Sequence, residues 1–291
     1  MKKIGFALLL CLLPFSLFAG SKSYKCDTRY PVILSHGMGA SYEIAWGIAK
    51  YWHRIPETLR EEGARVYITN VNAMDTTKVK AASWHRQVLD ILAITGAQKV
   101  NIIGHSHGSI YSRYGISNLP GLKGRIASHT SIAGPHRGSA MAEIVSGMID
   151  GNILEGAINA FMKFIMANNN ADTVANLEDL TREYMKNVFN PDTPDDSGIY
   201  YQSYAYVIKS ILGSGLFVAS WPILYYYEGD NDGLVSVTSA KWGKFRGIIK
   251  GAWWAGVNHL GAVDMMWGIT PGFNAPDHFV NIVKDLKNKG F

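Results

Sequence analysis

The stretch Lys99-Val-Asn-Ile-Ile-Gly-His-Ser-His-Gly108 decides how this chain folds. Three of its first five residues, Val100, Ile102 and Ile103, are apolar and β-branched, as a strand buried on both faces of a parallel sheet requires. They run straight into Gly104-His-Ser-His-Gly108, and a helical segment begins near His107. A serine on a tight turn from strand to helix stands out at the carboxyl end of a sheet, and flanking glycines relieve the crowded backbone. The helix start adds its dipole and free N–H groups, which favour developing negative charge. Gly-x-Ser-x-Gly alone arises easily by chance, and a Gly/Ser turn without a role is the bland alternative. The strand before it and the helix after it make Ser106 a candidate nucleophile.

Working outward, short β-rich runs alternate with helical patterns. Strands are predicted at residues 32–35, 65–71, 126–133 and 222–227. Between residues 77 and 95, Trp84, Val88, Ile91 and Leu92 mark one face at helical spacing. A last helix is capped near Asn274, with Phe279, Ile282, Val283 and Leu286 on one side. Strand and helix alternating in this way define an α/β class, a mostly parallel sheet with helices on both faces. No repeat or linker marks a second domain, so residues 20–291 are read as one. From Ser139 to about Asn190 no strand is predicted, only a helical cap inserted into the rhythm. Residues 153–166 within it are too apolar for a solvated surface helix. They read either as a core-packing helix or as a movable lid over an apolar site.

A serine hydroxyl needs a base, and the base an orienting carboxylate. In folds with this elbow the chain order is Ser, then Asp or Glu, then His. Of the nine histidines, only His259 and His278 follow a later strand. His259 lies in the loop Gly256-Val-Asn-His-Leu-Gly261 with room to reach the site, and His278 reads as a solvated flank of the last helix. The acid falls in Glu228-Gly-Asp-Asn-Asp-Gly-Leu-Val235, where Asp230 and Asp232 both qualify, Gly233 favouring Asp232 only slightly. Two backbone N–H groups could hold an oxyanion: that of His107, after the serine, and that of Met38, in the loop His36-Gly-Met-Gly39 after the first strand.

The 291 residues, 47% hydrophobic and 18% charged, exclude a disordered chain. Two cysteines exclude a disulfide scaffold. Lys2 and Lys3 precede an apolar run that ends at Ala19 and contains Pro14, the pattern of a secretory signal peptide over residues 1–19. The expected location is therefore secreted or periplasmic. Two of the five net positive charges leave with that leader, and the rest are too scattered to suggest nucleic acid. Cys11 leaves as well, so Cys26 has no partner for an intramolecular disulfide.

Taken together, Leu34-Ser-His-Gly-Met38, Gly104-His-Ser-His-Gly108, Asn231-Asp-Gly-Leu-Val235 and Asn258-His-Leu260 resemble the secreted bacterial true lipases, the triacylglycerol lipases of the pseudomonad kind. The resemblance runs from Tyr30 to Leu260 and takes in Gly134-Pro-His-Arg-Gly-Ser139 and the cap. It implies the α/β-hydrolase fold with a lid, and an acyl-enzyme mechanism with Ser106, Asp232 and His259 as triad. Asp232 is thereby preferred over Asp230. Met38 and His107 become the oxyanion donors, and the implied partners are a lipid ester, a lipid–water interface and a chaperone for export. A phospholipase or lipid acyltransferase would use the same triad, and a silent binding protein would keep the scaffold alone.

Two departures from the family stand out. A structural calcium usually takes an aspartate two residues after the catalytic histidine, where this chain has Gly261; the nearest acid is Asp264. Residues 200–224 contain no aspartate for the other acidic ligand. The site is expected to be lost or rebuilt, with no cofactor. The disulfide carried by many members is also missing, so the histidine loop is expected to be held by packing, with Trp253, Trp254 and Trp267 as candidates.

Overall fold

Alternate residues of the first strand point to opposite layers of the protein, and this fixes where the site lies. The computed structural model describes residues 23–38, 43–44, 49–72, 75–147, 173–265 and 267–291. β1 (Val32–Ser35) sends Val32 and Leu34 into one apolar layer and Ile33 into the other. A small antiparallel pair follows, β2 (Glu43–Ile44) and β3 (Ala49–Lys50). β4 (Val66–Thr69), β5 (Val100–His105), β6 (Ile126–Ile132), β7 (Tyr200–Tyr206) and β8 (Lys244–Ile249) complete a six-stranded sheet with β1. Its order is β4-β1-β5-β6-β7-β8, and every pairing is parallel.

Helices cover both faces, as parallel pairing demands. On one side α1 (Ile55–Glu61) and the last helix, Ala275–Asn288, bury Ile55, Leu59, Phe279 and Leu286 against Leu34 and Ile103. On the other, α2 (Thr77–Thr95) and α3 (His107–Asn118) bury Trp84, Val88, Leu92 and Tyr111 against Ile33 and Ile102. The bounds of α2 and the Asn274 cap are as the sequence predicts: the Asn274 side chain accepts the Asp277 N–H at 3.1 Å. Such a cap stabilises a helix by about 1 kcal/mol. Two short helices, α4 (Ala140–Val145) and α5 (Thr173–Glu178), belong to the predicted cap. Its apolar stretch at residues 153–166, read either as a core-packing helix or as a lid, lies outside the described residues, as does the leader.

Three sequence expectations need correction. Residues 222–227 are not a strand. They belong to a helix, α6 (Ser220–Glu228), whose Ile223 and Leu224 pack on Ala140, Met141 and Ile144 of α4. A short apolar run cannot tell a strand from a buried helix, and Pro222 is tolerated in a first helical turn. The missing sheet positions are filled by β7 and β8. β7 reads Tyr-Tyr-Gln-Ser-Tyr-Ala-Tyr and is buried with two of its polar side chains bonded: the Gln202 amide donates to Thr130 Oγ1 at 2.9 Å and Ser203 Oγ to Trp242 O at 2.8 Å. The third correction concerns His278, which is half-buried and packs against Tyr204, Tyr206 and Phe273 rather than standing in solvent.

Burial lowers the pKa of His278 to about 4, and that of the fully buried His36 to about 4 as well. An unfolded histidine takes its proton near 6.5. Between about pH 6.5 and 4 the unfolded chain therefore binds protons that the folded chain refuses, so stability falls as pH falls. Each such histidine contributes a slope of about 1.4 kcal/mol per pH unit in that window. Urea unfolding at pH 7, 6 and 5 should show the decline, and His278→Phe should remove one proton from the slope. A variant with the unchanged slope would contradict the burial.

Candidate active site

The chain leaves β1 toward β4 on one side of the sheet and β5 toward β6 on the other. A crevice opens at the carboxyl ends of strands where such a reversal occurs. Ser106 follows β5 there, and His36-Gly37-Met38 follows β1. Ser106 has φ 55° and ψ −130°, a backbone region that costs a non-glycine residue of order 1–3 kcal/mol. It is half-buried, and so within reach of a ligand. Gly108 lets α3 meet β1, since a Cβ there would lie 2.1 Å from Ser35 O. Gly37 lets the loop lie against the serine, since its Cβ would be 2.8 Å from Ser106 Cβ.

His259 lies alongside this turn: its ring centroid is 4.6 Å from that of His105, the residue before Ser106. Its Nδ1 is 2.8 Å from Asp232 Oδ2, and both side chains are almost fully buried. A carboxylate can only accept, so the proton sits on Nδ1 and Nε2 is left as a bare base. Asp232 Oδ1 takes the N–H groups of Leu234 and Val235 at 3.0 and 2.8 Å. The His259 N–H donates to Asp232 O at 2.9 Å, and Ile208, just past β7, donates its N–H to Asn231 O. The candidate acid therefore follows α6 in the chain but lies beside the end of β7. Asp230 points elsewhere, half-exposed and 3.9 Å from Lys209.

The loop after β1 is held by side chains. Val71 N–H donates to His36 Nε2 at 3.1 Å, which leaves His36 Nδ1–H to donate to Gly37 O at 2.9 Å. Tyr111 donates its hydroxyl to His36 O, and Gly37 N–H donates to the Tyr51 hydroxyl, both at 2.8 Å. Among the described residues no acceptor takes the N–H of Met38 or of His107, the latter being a free donor of a first helical turn. Below them the His107 ring donates Nε2–H to Thr77 Oγ1 at 2.8 Å and accepts from Lys80 Nζ at 3.1 Å. Burial pushes Lys80 down to about 7, with Asp75 and Asp179 working against that fall. Tyr51 and Lys80 were missed as site residues; only Lys80 left a signal, as a lysine four residues before Trp84 on the buried face of α2.

The histidine loop is not held by tryptophans. Trp253 is 88% exposed, Trp267 55% and Trp254 37%. Asn258 holds it instead, donating Nδ2–H to Gly213 O at 3.0 Å and accepting Gly261 N–H at 2.8 Å. Nor do the residues fit a calcium ion. Position 261 carries no carboxylate, and a Cβ there would lie 2.6 Å from Thr270 Oγ1, so an aspartate would have to displace that side chain. Asp264 is turned to Arg54 at 3.4 Å, joining the loop to α1.

A model of the family described as alpha/beta hydrolase fold matches residues 30–236. The chain belongs to that family. Over 299 aligned residues, 92% of either chain, it is 32% identical to a triacylglycerol lipase of Vibrio cholerae. Among solved structures, mature Bacillus licheniformis lipase BlEst2 superposes at a TM-score of 0.66, covering 87% of this chain and 91% of that one. The metagenomic carboxyl esterase MGS0156 superposes at 0.68, covering 90% and 76%. At 16% identity these two speak for the fold alone. Within the family, the chain is a bacterial lipase, an ester hydrolase.

Proposed function

We propose that this lipase is exported and cleaves fatty-acyl esters through a Ser106–His259–Asp232 triad. The observation that carries the assignment is the buried Nδ1–H···Asp232 bond, which leaves Nε2 as the base on a ring 4.6 Å from that of His105, the residue before a strained, half-buried Ser106. Ser106 Oγ attacks the ester carbonyl while His259 Nε2 takes its proton. Asp232 fixes the tautomer and stabilises the imidazolium. The free N–H groups of Met38 and His107 bind the oxyanion. His259 then returns the proton to the leaving alcohol, and water repeats the steps on the acyl-enzyme.

A lipid substrate suits the surroundings. Residues 210–227 carry no charged side chain, and Ile211, Leu212, Leu216 and Trp253 stand exposed on segments that touch at Gly213 and Ala255, beside the His259 loop. The Vibrio cholerae relative is a triacylglycerol lipase, and we extend that substrate to this chain. Initial rates on esters from acetate to palmitate, above and below their solubility limits, test this. Turnover should be highest on emulsified long-chain esters; activity confined to soluble short esters would refute it.

Calcium independence is part of the same proposal. With Asn258 and the Arg54–Asp264 pair closing the loop, a chelator should leave activity within about twofold and the melting temperature unchanged. Loss of both on chelation, with calcium restoring them, would overturn it.

A further inference from the structure

We infer that Tyr51 is a positioning residue for this reaction: one buried hydroxyl holds the oxyanion loop and the nucleophile turn in register. The inference rests on the proposed triad and adds to it a group outside the reacting atoms. Tyr51 lies just past β3 and is 2% exposed. Its hydroxyl accepts the Gly37 N–H at 2.8 Å and is hydrogen-bonded to His105 Nδ1. A phenol has one proton to give. Since Gly37 uses a lone pair, that proton is free for His105, and burial keeps His105 neutral, with pKa well below the usual histidine value. The assignment that gives the Tyr51 proton an acceptor is Gly37 N–H to Tyr51 oxygen and Tyr51 O–H to His105 Nδ1, with the His105 proton on Nε2.

Each end of that relay is one residue from the chemistry. Gly37 immediately precedes Met38, whose N–H is a proposed oxyanion donor, and His105 immediately precedes Ser106. The two loops otherwise meet through glycine contact: a Cβ on Gly37 would lie 2.7 Å from the Tyr51 oxygen and 2.8 Å from Ser106 Cβ. Gly37 backbone thus fills the space between the tyrosine and the serine, so Tyr51 acts through its neighbours. The ring is fixed apart from its hydroxyl, edge-on to Trp52 at 5.1 Å and to His105 at 5.6 Å. Phenylalanine keeps that packing and removes only the oxygen.

Tyr51→Phe leaves the Gly37 N–H and His105 Nδ1 unpartnered and lets Met38 drift from the oxyanion position. A misplacement on the scale of an ångström costs on the order of 100-fold in rate. The test compares wild type, Tyr51→Phe and Ser106→Ala on a soluble short-chain p-nitrophenyl ester. Sites are counted by titration with diethyl p-nitrophenyl phosphate, so that kcat refers to competent sites only. The expected result is a kcat lowered about 10- to 100-fold with KM within about twofold, and inactivation by the phosphate ester slowed in parallel. The shape of the kcat/KM pH profile should be unchanged. A kcat per titrated site within twofold of wild type, a loss carried by KM alone, or a variant with no folded protein would each overturn the inference and leave the triad standing. Hydrolysis that survives in Ser106→Ala would instead overturn the triad, and the role of Tyr51 with it.

Discussion

Ser106→Ala is expected to lower turnover about 10⁴- to 10⁶-fold, because the members of a triad act as a unit and the loss of one idles the others. What remains is the contribution of the oxyanion donors and substrate binding. The fold should survive. The side chain is half-buried, and alanine meets the same backbone conformation at φ 55°. Circular dichroism and thermal melting should match wild type while an active-site phosphonate no longer labels the protein. A folded variant that kept a tenth of its activity would mean that another residue attacks the ester.

Asp232→Asn is expected to cost about 10³- to 10⁴-fold, and Asp230→Asn less than about twofold. The contrast follows from the hydrogen bonds. The Leu234 and Val235 N–H groups bind the side-chain oxygen Oδ1 of Asp232, so an asparagine would place its carbonyl there and turn its NH2 toward His259. An NH2 facing Nδ1 removes the proton from that nitrogen and moves it to Nε2, where it blocks the base. Asp230 contributes only a half-exposed contact with Lys209, of the kind worth little in water. Equal losses in the two variants, or the larger loss at Asp230, would reverse the assignment.

How much the sequence revealed depended on how local the signal was. The nucleophile turn was legible because strand, glycine spacing and helix start lie within ten residues and each restricts the others. The alternation of β1, β4, β5 and β6 with α2 was legible for the same reason, and so was the capped last helix. β7 escaped because its burial rests on tyrosine, glutamine and serine side chains whose partners, Thr130 and Trp242, are distant in sequence. Residues 222–227 misled because apolar and aromatic content suits a strand as well as a helix packed on α4. The acid was only half legible. Spacing left Asp230 and Asp232 open, and the choice lies in a bond to His259, 27 residues on. The clamp on the histidine loop was invisible in the same way, since Asn258 acts through backbone groups of Gly213 and Gly261.

The division of the site along the chain has a consequence for biosynthesis. The proposed oxyanion loop and nucleophile are laid down by residue 107, whereas the proposed carboxylate and base come at 232 and 259, tethered to the end of β7. A ribosome that has released the first half of the domain has made a serine with nothing to deprotonate it. Sheet pairing between β6 and β7 spans some seventy residues, a long-range closure of the kind that slows folding. With the triad as proposed, the nascent chain is expected to be inert toward the cell's own esters until residue 259 has emerged, and a chain that stalls or is clipped before that residue should stay inert.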